Sequence, residues 1–255
     1  MILDEIVKEK LVEVEALKKR LKLEFKKKDL PKIRDFKKAI SRRGINLIAE
    51  TKAASPSAGV MFDKYVPENL AKEYEKAGAA AVSVLTDLTY FNGSMDDLER
   101  VRNSINLPVL RKDFIIDEIQ IFESRLAGAD AILLIARILG SDELKRFIKF
   151  TEKLGMDALV EVHSAKEARS AIAAGANIIG INNRDLDTLK VEVDNTINII
   201  KEVPELKKKV LVSESGISER SQVELLRNAG VNAVLIGEAI LKSRDIGKKI
   251  KELAC

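Results

Sequence analysis

Charged side chains follow several short apolar runs in this sequence, and residues of these types could carry acid–base chemistry. The first run, Leu47-Ile-Ala49, is followed by Glu50 and Lys52. Residues two apart on a strand point to the same face, so this carboxylate and this ammonium would project together beyond the strand tip. Burying two charges is costly even when they pair. We therefore predict that the pair serves a reaction rather than stability.

Five further apolar runs end in the same way. The groups at their ends are Lys112, Glu161, Asn182 with Arg184 just beyond it, Glu214 and Glu238. The cations Lys52, Lys112 and Arg184 nearly balance the carboxylates of Glu50, Glu161 and Glu214, so most of these groups should remain ionised. Partial burial should still move the pKa of one lysine or glutamate toward a value useful for proton transfer near neutral pH. The sequence leaves open which one.

Two loops of small residues indicate a phosphate site. Ser215-Gly216 follows the seventh apolar run, and Gly237-Glu238-Ala239 follows the eighth. Barrels of alternating strands and helices bind phosphate at these two positions, through backbone N–H groups. Because Lys52 could reach across from the first run, we predict a phosphorylated small-molecule substrate.

A repeating unit of strand, loop and helix positions these groups. The repeat is marked by glycines that we expect to end helices in the left-handed conformation, namely Gly78, Gly128, Gly155, Gly175 and Gly230. The predicted strands are 46–52, 80–86, 108–114, 131–136, 157–162, 178–183, 210–215 and 233–238. Eight strands alternating with helices predict an α/β fold of the (βα)8 TIM-barrel type. An open doubly wound sheet is the alternative, but the chain lacks a Gly-x-Gly-x-x-Gly fingerprint.

The first 44 residues precede this repeat and form a predicted helical extension. Apolar residues spaced by three and four predict a helix from residue 1 to about 23; they are Leu3, Val7, Leu11, Val14, Leu17 and Leu21. A second short helix, containing Ile33, Phe36 and Ile40, should begin at Pro31. We predict one domain, 1–255, made of the extension 1–44 and the barrel 45–255.

Composition excludes several classes of protein. The chain has 255 residues, of which 46% are apolar and 33% charged, and this fits one large globular domain. Its net charge of +4 is scattered, so we expect no nucleic-acid partner. Cys255 is the only cysteine and no His/Asp cluster has ligand spacing, so we expect neither a disulfide framework nor a metal site. A charged start from Asp4 and the absence of a long apolar run predict no membrane segment, no signal peptide and a cytoplasmic location.

Four other residues stand near the predicted strand tips. His163, the only histidine, comes one residue after Val162, and we interpret it as a loop residue. Phe91, Phe114 and Leu186 could form an apolar wall, although core packing is the commoner role of such side chains.

Long motifs spread from Met1 to about Ile250 carry a family resemblance. They are Ile48-Ala-Glu-Thr-Lys-Ala-Ala-Ser-Pro-Ser, Ser83-Val-Leu-Thr-Asp, Tyr90-Phe-Asn-Gly-Ser, Leu110-Arg-Lys-Asp-Phe-Ile, Leu159-Val-Glu-Val, Gly180-Ile-Asn-Asn-Arg-Asp-Leu, Ser213-Glu-Ser-Gly-Ile and Leu235-Ile-Gly-Glu-Ala. In these motifs the chain resembles indole-3-glycerol-phosphate synthase, an enzyme family of tryptophan biosynthesis. The chain departs from the family's usual pattern at Thr51, where an apolar residue is common, and at Ala53, where a lysine or arginine is common.

The resemblance implies an activity and a set of roles. The reaction would be closure of the indole ring on 1-(2-carboxyphenylamino)-1-deoxyribulose 5-phosphate, with loss of CO2 and water and with no cofactor. Lys112 would act as the general acid, Glu161 and Lys52 would act in dehydration, and the other polar groups would orient them. The implied catalytic set is Lys112, Glu161, Lys52, Glu50, Asn182, Glu214 and Ser215. The implied substrate- and phosphate-binding set is Ser55, Arg184, Gly216, Gly237, Glu238, Phe91, Phe114 and Leu186, of which the last three would surround the anthranilate ring.

Two rival functions remain open at this point. Another phosphosugar barrel enzyme is one; a Schiff-base aldolase would need a lysine on the sixth strand, where Asn182 and Asn183 stand, and an isomerase would need a Cys or Asp acid–base pair at the strand ends. A non-catalytic sugar-phosphate-binding protein is the other, and it would not need both Lys112 and Glu161. We expect a monomer or a weak homodimer.

Overall fold

Eight parallel strands close into a barrel in the computed structural model, which describes residues 2–21, 30–55, 59–61, 64–185, 188 and 190–254. The strands are β1 (Asn46–Thr51), β2 (Ala54–Ser55), β3 (Gly59–Val60), β4 (Ala81–Leu85), β5 (Val109–Lys112), β6 (Ala131–Ile135), β7 (Asp157–Val162), β8 (Ile178–Asn182), β9 (Val210–Glu214) and β10 (Ala233–Ile236). The barrel order is β1-β10-β9-β8-β7-β6-β5-β4, and β2 pairs with β3 in a separate antiparallel ladder.

Helices connect the barrel strands and pack around them. They are α1 (Ile2–Arg20), α2 (Phe36–Ile40), α3 (Pro67–Ala77), α4 (Leu88–Phe91), α5 (Met95–Ser104), α6 (Glu118–Leu126), α7 (Ser141–Lys153), α8 (Ala165–Ala174), α9 (Asp194–Glu202), α10 (Arg220–Asn228), α11 (Glu238–Leu241) and α12 (Ile246–Leu253), with a 3-10 helix at Pro204–Lys208. No helix in the described part of the chain is both long enough and apolar enough to cross a membrane.

The (βα)8 architecture and its eight strands are confirmed. Each predicted strand is present, and its bounds differ from the prediction by two residues at most. The five glycines predicted to end helices all have positive φ, between 84° and 98°. A side chain is strained in this left-handed region, so glycine ends a helix and redirects the chain toward the next strand without that cost.

Alternation along each strand separates two apolar layers. Ile48, Leu110, Leu159 and Val212 lie in the cluster that fills the barrel interior. The residues between them, such as Ala49, pack outward against the helices. Because period-two alternation sends every second side chain inward, a polar residue two positions after an interior one lies at the top of the barrel lumen.

The extension closes the other end of the barrel. Phe36 and Ile40 of α2 are fully buried and belong to the interior cluster. The prediction that this helix begins at Pro31 is wrong: it begins at Phe36, because the Asp35 carboxylate caps it by accepting the N–H of Lys38 at 2.8 Å. The preceding residues are held in non-helical form, since the N–H of Arg34 donates to Asp130 at 2.7 Å.

Helix α1 shows a second departure from the predicted pattern. It ends at Arg20; residues 22 and 23, to which the prediction extended, lie outside the described part. Leu11, placed on the apolar face by its spacing, is 54% exposed, whereas Lys10 is 1% exposed. Lys10 is buried because its Nζ lies 2.8 Å from Asp87 Oδ2 and 3.0 Å from Asp113 Oδ1, just beyond the ends of β4 and β5.

Candidate active site

The strand register brings the predicted polar residues to one end of the barrel. Asn182 is the direct neighbour of Glu214, and Glu161 is the neighbour of Gly180. Together with Lys112 at the end of β5, these groups come from four strands and meet over the barrel interior. The sequence did not show which of these side chains contact one another, because they are far apart along the chain.

A cavity of about 420 Å³ opens at this end. Most of the predicted site residues line it; the lining is Glu50, Lys52, Lys112, Arg184, Val191, Glu214, Ser215, Gly216, Ile217, Ser218, Leu235, Ile236, Gly237, Glu238, Ala239 and Lys242. The lining therefore combines buried carboxylates and cations at the strand ends with the small-residue turns that follow β9 and β10.

Lys112 lies between two buried carboxylates. Its Nζ donates to Glu161 Oε2 at 3.2 Å and lies 3.5 Å from Glu214 Oε2. Glu161 and Glu214 are almost completely buried, while Lys112 keeps some contact with the cavity. This geometry presents one ammonium to a bound molecule and keeps two proton acceptors beside it.

Burial and pairing push the pKa values of these three groups in different directions. Burial raises the pKa of Glu214 to about 8, with Lys112 opposing the shift. Burial alone would also raise the pKa of Glu161, but the charges of Lys112 and His163 outweigh it and hold the value below the usual one. Burial would lower the pKa of Lys112, yet the nearby glutamates outweigh it and raise the pKa. Glu214 is therefore the group that titrates near neutral pH, while Lys112 stays cationic and Glu161 anionic.

Glu50 and Lys52 form the pair that the alternation predicts. Lys52 Nζ donates to Glu50 Oε1 at 2.7 Å, and both side chains are mostly buried. The backbone carbonyl of Glu50 accepts the hydroxyl of fully buried Tyr74 at 3.1 Å, which fixes the end of β1. Thr51 is fully buried and is not among the cavity-lining residues, as alternation predicts.

Two glycines make room for carboxylates. A Cβ on Gly180 would collide with Glu214 Oε1, and a Cβ on Gly237 would collide with Glu50 Oε1. Both collisions involve buried carboxylates that lie beside a lysine, Glu214 beside Lys112 and Glu50 beside Lys52. Glycine at these two positions in or beside strands is part of how the site is formed.

Small residues and cations meet where the turns after β9 and β10 line the cavity. Ser215 and Gly216 have φ of 69° and 78°, and this turn is held by Asn183, whose Nδ2 donates to the carbonyl of Ser215 at 3.1 Å. Glu238 accepts from Lys242 Nζ at 2.6 Å and lies 3.9 Å from Arg184 Nη2. Two cations therefore lie beside one carboxylate, and the excess positive charge favours binding of an anion here.

Among the predicted residues whose side chains the structure describes, Glu161, Asn182, Phe91 and Phe114 are not in the cavity lining. Phe91 and Phe114 stack at a tilt with ring centroids 6.4 Å apart, beyond the ends of β4 and β5, and neither lines the cavity. The backbone of Ser55 pairs with Gly59 in the small ladder, but its side chain is outside the described part, as is the whole of Leu186.

Three functional candidates were missed or set aside at the level of sequence. His163 is the first residue of the loop after β7, as predicted, and its Nε2 lies 3.3 Å from Glu161 Oε1, a contact that the sequence did not indicate. Lys242 lines the cavity one helical turn after Glu238, a spacing that could have indicated it. Asn183 supports the Ser215 turn, and only the pairing of β8 with β9 shows this.

The fold resembles a solved structure with another activity in its name. Thiamine phosphate pyrophosphorylase from Pyrococcus furiosus matches with a TM-score of 0.61 at 16% identity, over 82% of this chain and 93% of that chain. At this identity the likeness concerns the fold alone.

Other relatives share a much higher sequence identity with this chain than that structure does. The family model for indole-3-glycerol phosphate synthase matches residues 3–253. Relatives with that name are 46% identical in Endomicrobium trichonymphae, over 99% of both chains, and 49% identical in Aquifex aeolicus, over 86% of this chain and 85% of the relative. Another from Desulfotalea psychrophila is 46% identical over 99% of this chain and 98% of the relative. The chain therefore belongs to the indole-3-glycerol phosphate synthase family.

Proposed function

We propose that this protein converts 1-(2-carboxyphenylamino)-1-deoxyribulose 5-phosphate into indole-3-glycerol phosphate, as a carboxy-lyase of tryptophan biosynthesis. Family membership supports the activity. The observation that carries the assignment of roles is the position of Lys112, a cation held between two buried carboxylates at the edge of the cavity.

In the first step Lys112 acts as general acid. An aryl carbon of the substrate attacks the ribulose carbonyl carbon, and the carbonyl oxygen takes a proton from the ammonium and becomes a hydroxyl. Lys112 is cationic across neutral pH, with its pKa raised by the neighbouring glutamates. Its proton can pass to the oxygen during the attack, because the alkoxide that would otherwise form is a stronger base than an amine. The carboxylate on the attacking aryl carbon then leaves as CO2, and its bonding electrons restore the aromatic ring.

In the second step the new hydroxyl leaves as water. Glu161, anionic and in contact with Lys112, is placed to accept the proton that the ring nitrogen or the adjacent carbon must lose. Lys52 is the second cation at this wall, and it can protonate the leaving hydroxyl or bind the substrate's anionic groups. Glu50 orients Lys52 through their 2.7 Å ion pair.

The turns after β9 and β10 bind the phosphate in this proposal. The Ser215-Gly216 turn and Gly237 bring backbone close to the cavity, while Arg184 and Lys242 supply positive charge. Backbone N–H groups and cations together are what a phosphate dianion needs. Ser55, Glu238 and the aromatic residues Phe91 and Phe114 keep the roles implied by the family resemblance.

The structure favours acid catalysis over a Schiff-base mechanism. A nucleophilic amine must be neutral, and burial in an apolar pocket lowers the pKa of such lysines. Lys112 has a raised pKa, and β8 carries Asn182 at its end rather than a lysine. The proposed setting is the cytoplasm, with the small-molecule substrate as the only partner needed and the chain acting as one domain.

Incubation with the carboxyphenylamino-deoxyribulose phosphate tests the activity. We expect a rise of indole fluorescence in proportion to enzyme concentration, with release of one CO2 per indole. Absence of a fluorescence gain at micromolar enzyme would reject the proposed function. Borohydride trapping in the presence of the substrate should leave the protein mass unchanged, and a stable adduct on Lys112 or Lys52 would favour the aldolase alternative.

A further inference from the structure

His163 is the first residue after β7 and lies directly behind Glu161. Its side chain is 7% exposed, and its Nε2 is 3.3 Å from Glu161 Oε1. The other oxygen of Glu161, Oε2, accepts from Lys112 at 3.2 Å. The two oxygens of this carboxylate therefore have different neighbours. Oε2 is hydrogen-bonded to Lys112, and Oε1 lies at ion-pair distance from His163 Nε2, which has no hydrogen-bond partner among the described residues.

Glu167, in the first turn of α8, fixes the imidazole from the far side. Its Oε2 accepts the backbone N–H of His163 at 2.8 Å and lies 3.4 Å from the ring Nδ1. The imidazole, in the two-residue loop between β7 and α8, is thus placed between two carboxylates. A ring with one nitrogen facing each carboxylate is favoured in its doubly protonated, cationic form.

The surroundings of the ring determine its charge. Burial would lower the pKa of His163, but the hydrogen bond to Glu167 and the charge of Glu161 outweigh burial and raise the pKa. The other charged groups near it are Glu214 on β9, Arg137 beside Glu167, and Arg184, Asp185, Lys190 and Glu192 around the small cavity that His163 also lines. The nearest contacts are carboxylates, so the cation persists at higher pH than in a free histidine.

We propose that His163 is a positioning residue for Glu161, which holds Oε1 so that Oε2 stays directed at Lys112 and which keeps the carboxylate anionic at neutral pH. The inference rests on the proposed role of Glu161 in proton transfer. Glu161 has a cation beside each oxygen, whereas Glu214, whose pKa burial raises to about 8, has only Lys112 at ion-pair distance.

Proton NMR can test the contact without any activity measurement. The chain contains a single histidine, so its imidazole Hε1 resonance needs no assignment by mutation. We expect a midpoint above about 6.5, the usual value, in the wild-type protein. Glu161→Gln and Glu167→Gln should each lower this midpoint, whereas Arg169→Ala, an exposed change on α8, should not. An ordinary midpoint that Glu161→Gln leaves in place would overturn the proposal.

Kinetics can then separate positioning from simple packing. We expect His163→Ala to lower kcat about tenfold with KM nearly unchanged, and to move the acidic limb of the kcat profile to higher pH because Glu161 loses a neighbouring cation. His163→Gln keeps an amide donor near Glu161 and should recover most of kcat at neutral pH without restoring the acidic limb.

Circular dichroism must show native spectra for the variants that are compared, and His163→Gln carries the test if His163→Ala does not fold. His163→Ala removes both the donor and the charge, and His163→Gln removes the charge. A wild-type kcat and pH profile in either folded variant would remove His163 from the positioning role. If the wild-type protein forms no indole-3-glycerol phosphate, the proposed function fails. The NMR midpoint still decides whether His163 and Glu161 interact.

Discussion

At the scale of single residues, two glutamates on similar strands acquire opposite properties. Glu161 lies near the end of β7 and Glu214 ends β9, and both point into the barrel. Glu161 has Lys112 on one oxygen and His163 on the other, whereas Glu214 has Lys112 only, at the longer distance of 3.5 Å. Burial raises both pKa values to a similar degree, so the neighbours decide which carboxylate is charged at neutral pH. Lys112, His163 and a hydrogen bond from Asn182 lower the pKa of Glu161, whereas the charges of Glu161 and Glu50 raise that of Glu214.

Replacement of Lys112 by alanine should lower kcat by about a hundredfold or more, the usual range for loss of a positioned proton donor. The substituted side chain projects into the cavity, so the far-UV spectrum should remain native. Indole fluorescence gives kcat, and Lys145→Ala, an exposed change on α7, is the matched control. A near-normal kcat in Lys112→Ala would remove Lys112 from the acid role.

Replacement of Glu214 by glutamine should change how stability depends on pH. The folded-state pKa of Glu214, about 8, lies above its unfolded value of about 4.5. Its contribution to stability is fully present below pH 4.5 and is lost as pH rises through 8, because ionisation is unfavourable in the folded protein. Urea unfolding should therefore show a smaller loss of stability between pH 5 and 9 in Glu214→Gln than in the wild type. Equal losses in the two proteins would mean that Glu214 is already ionised at pH 5.

At the scale of elements, helix α1 is attached to the catalytic end by a buried ion cluster. Lys10 contacts Asp87 and Asp113, and Asp113 also pairs with Arg111 at 2.9 Å. Burial would raise the pKa of Asp113, but Arg111 and Lys10 hold it at about 2. The cluster lies next to Lys112 in sequence, on the opposite side of β5, so it anchors the strand end that presents the proposed acid.

Replacement of Lys10 by methionine should destabilise the protein by about 3 kcal/mol or more, since it leaves two buried carboxylates with one fewer cation. The matched control is Lys18→Met on the same helix, where the side chain is 45% exposed and its pairs with Glu15 and Asp117 are screened by water. Urea denaturation with linear extrapolation measures both changes. A Lys10→Met protein no less stable than Lys18→Met would show that the buried cluster contributes nothing net.

Replacement of Gly216 by alanine should weaken substrate binding through the turn after β9. The backbone there has φ of 78°, and a Cβ would also collide with Val191. Displacement of the turn should raise KM at least about tenfold, if the phosphate is bound there as proposed. Gly78→Ala is the control, because its φ of 98° gives similar strain with no neighbouring atom and no contact with the cavity. An unchanged KM in Gly216→Ala would place the phosphate elsewhere.

At the scale of the whole molecule, the extension spans both ends of the barrel. Lys10 binds at the carboxyl ends of the strands, whereas Arg34 and the buried residues of α2 bind at the amino ends, through Asp130 and the interior cluster. Contacts at both ends support our proposal that residues 1–255 form one domain. The chemistry is thereby confined to the open end.

We expect the protein to sediment as a single species of 28.3 kDa. Large apolar side chains that are exposed in the described residues are few and spread over several elements; they are Leu11, Val12, Leu88, Leu126, Val191 and Leu225. A stable homodimer ordinarily buries roughly 800 Å² on each partner with an apolar centre. Sedimentation equilibrium across a hundredfold range of concentration checks this, and a mass twice as large at micromolar concentration would contradict it.

The sequence by itself determined the barrel architecture and indicated which polar groups lie at its carboxyl end. Apolar runs ending in Glu50, Lys112 or Glu161 predicted both the strands and the edge at which the site forms. These are local signals: strand alternation depends on neighbouring residues, and a left-handed glycine such as Gly175 ends a helix for reasons confined to its own backbone.

Only the tertiary structure decided which groups are buried together and how they are charged. Spacing placed Leu11 inward, but Asp87 and Asp113 draw Lys10 inward instead. The charge of His163 likewise depends on its contacts with both Glu161 and Glu167. The charge of Glu214 depends on its burial and on Lys112. Electrostatic and desolvation energies depend on distances between groups that the chain brings together only when the barrel closes, and no local pattern records those distances.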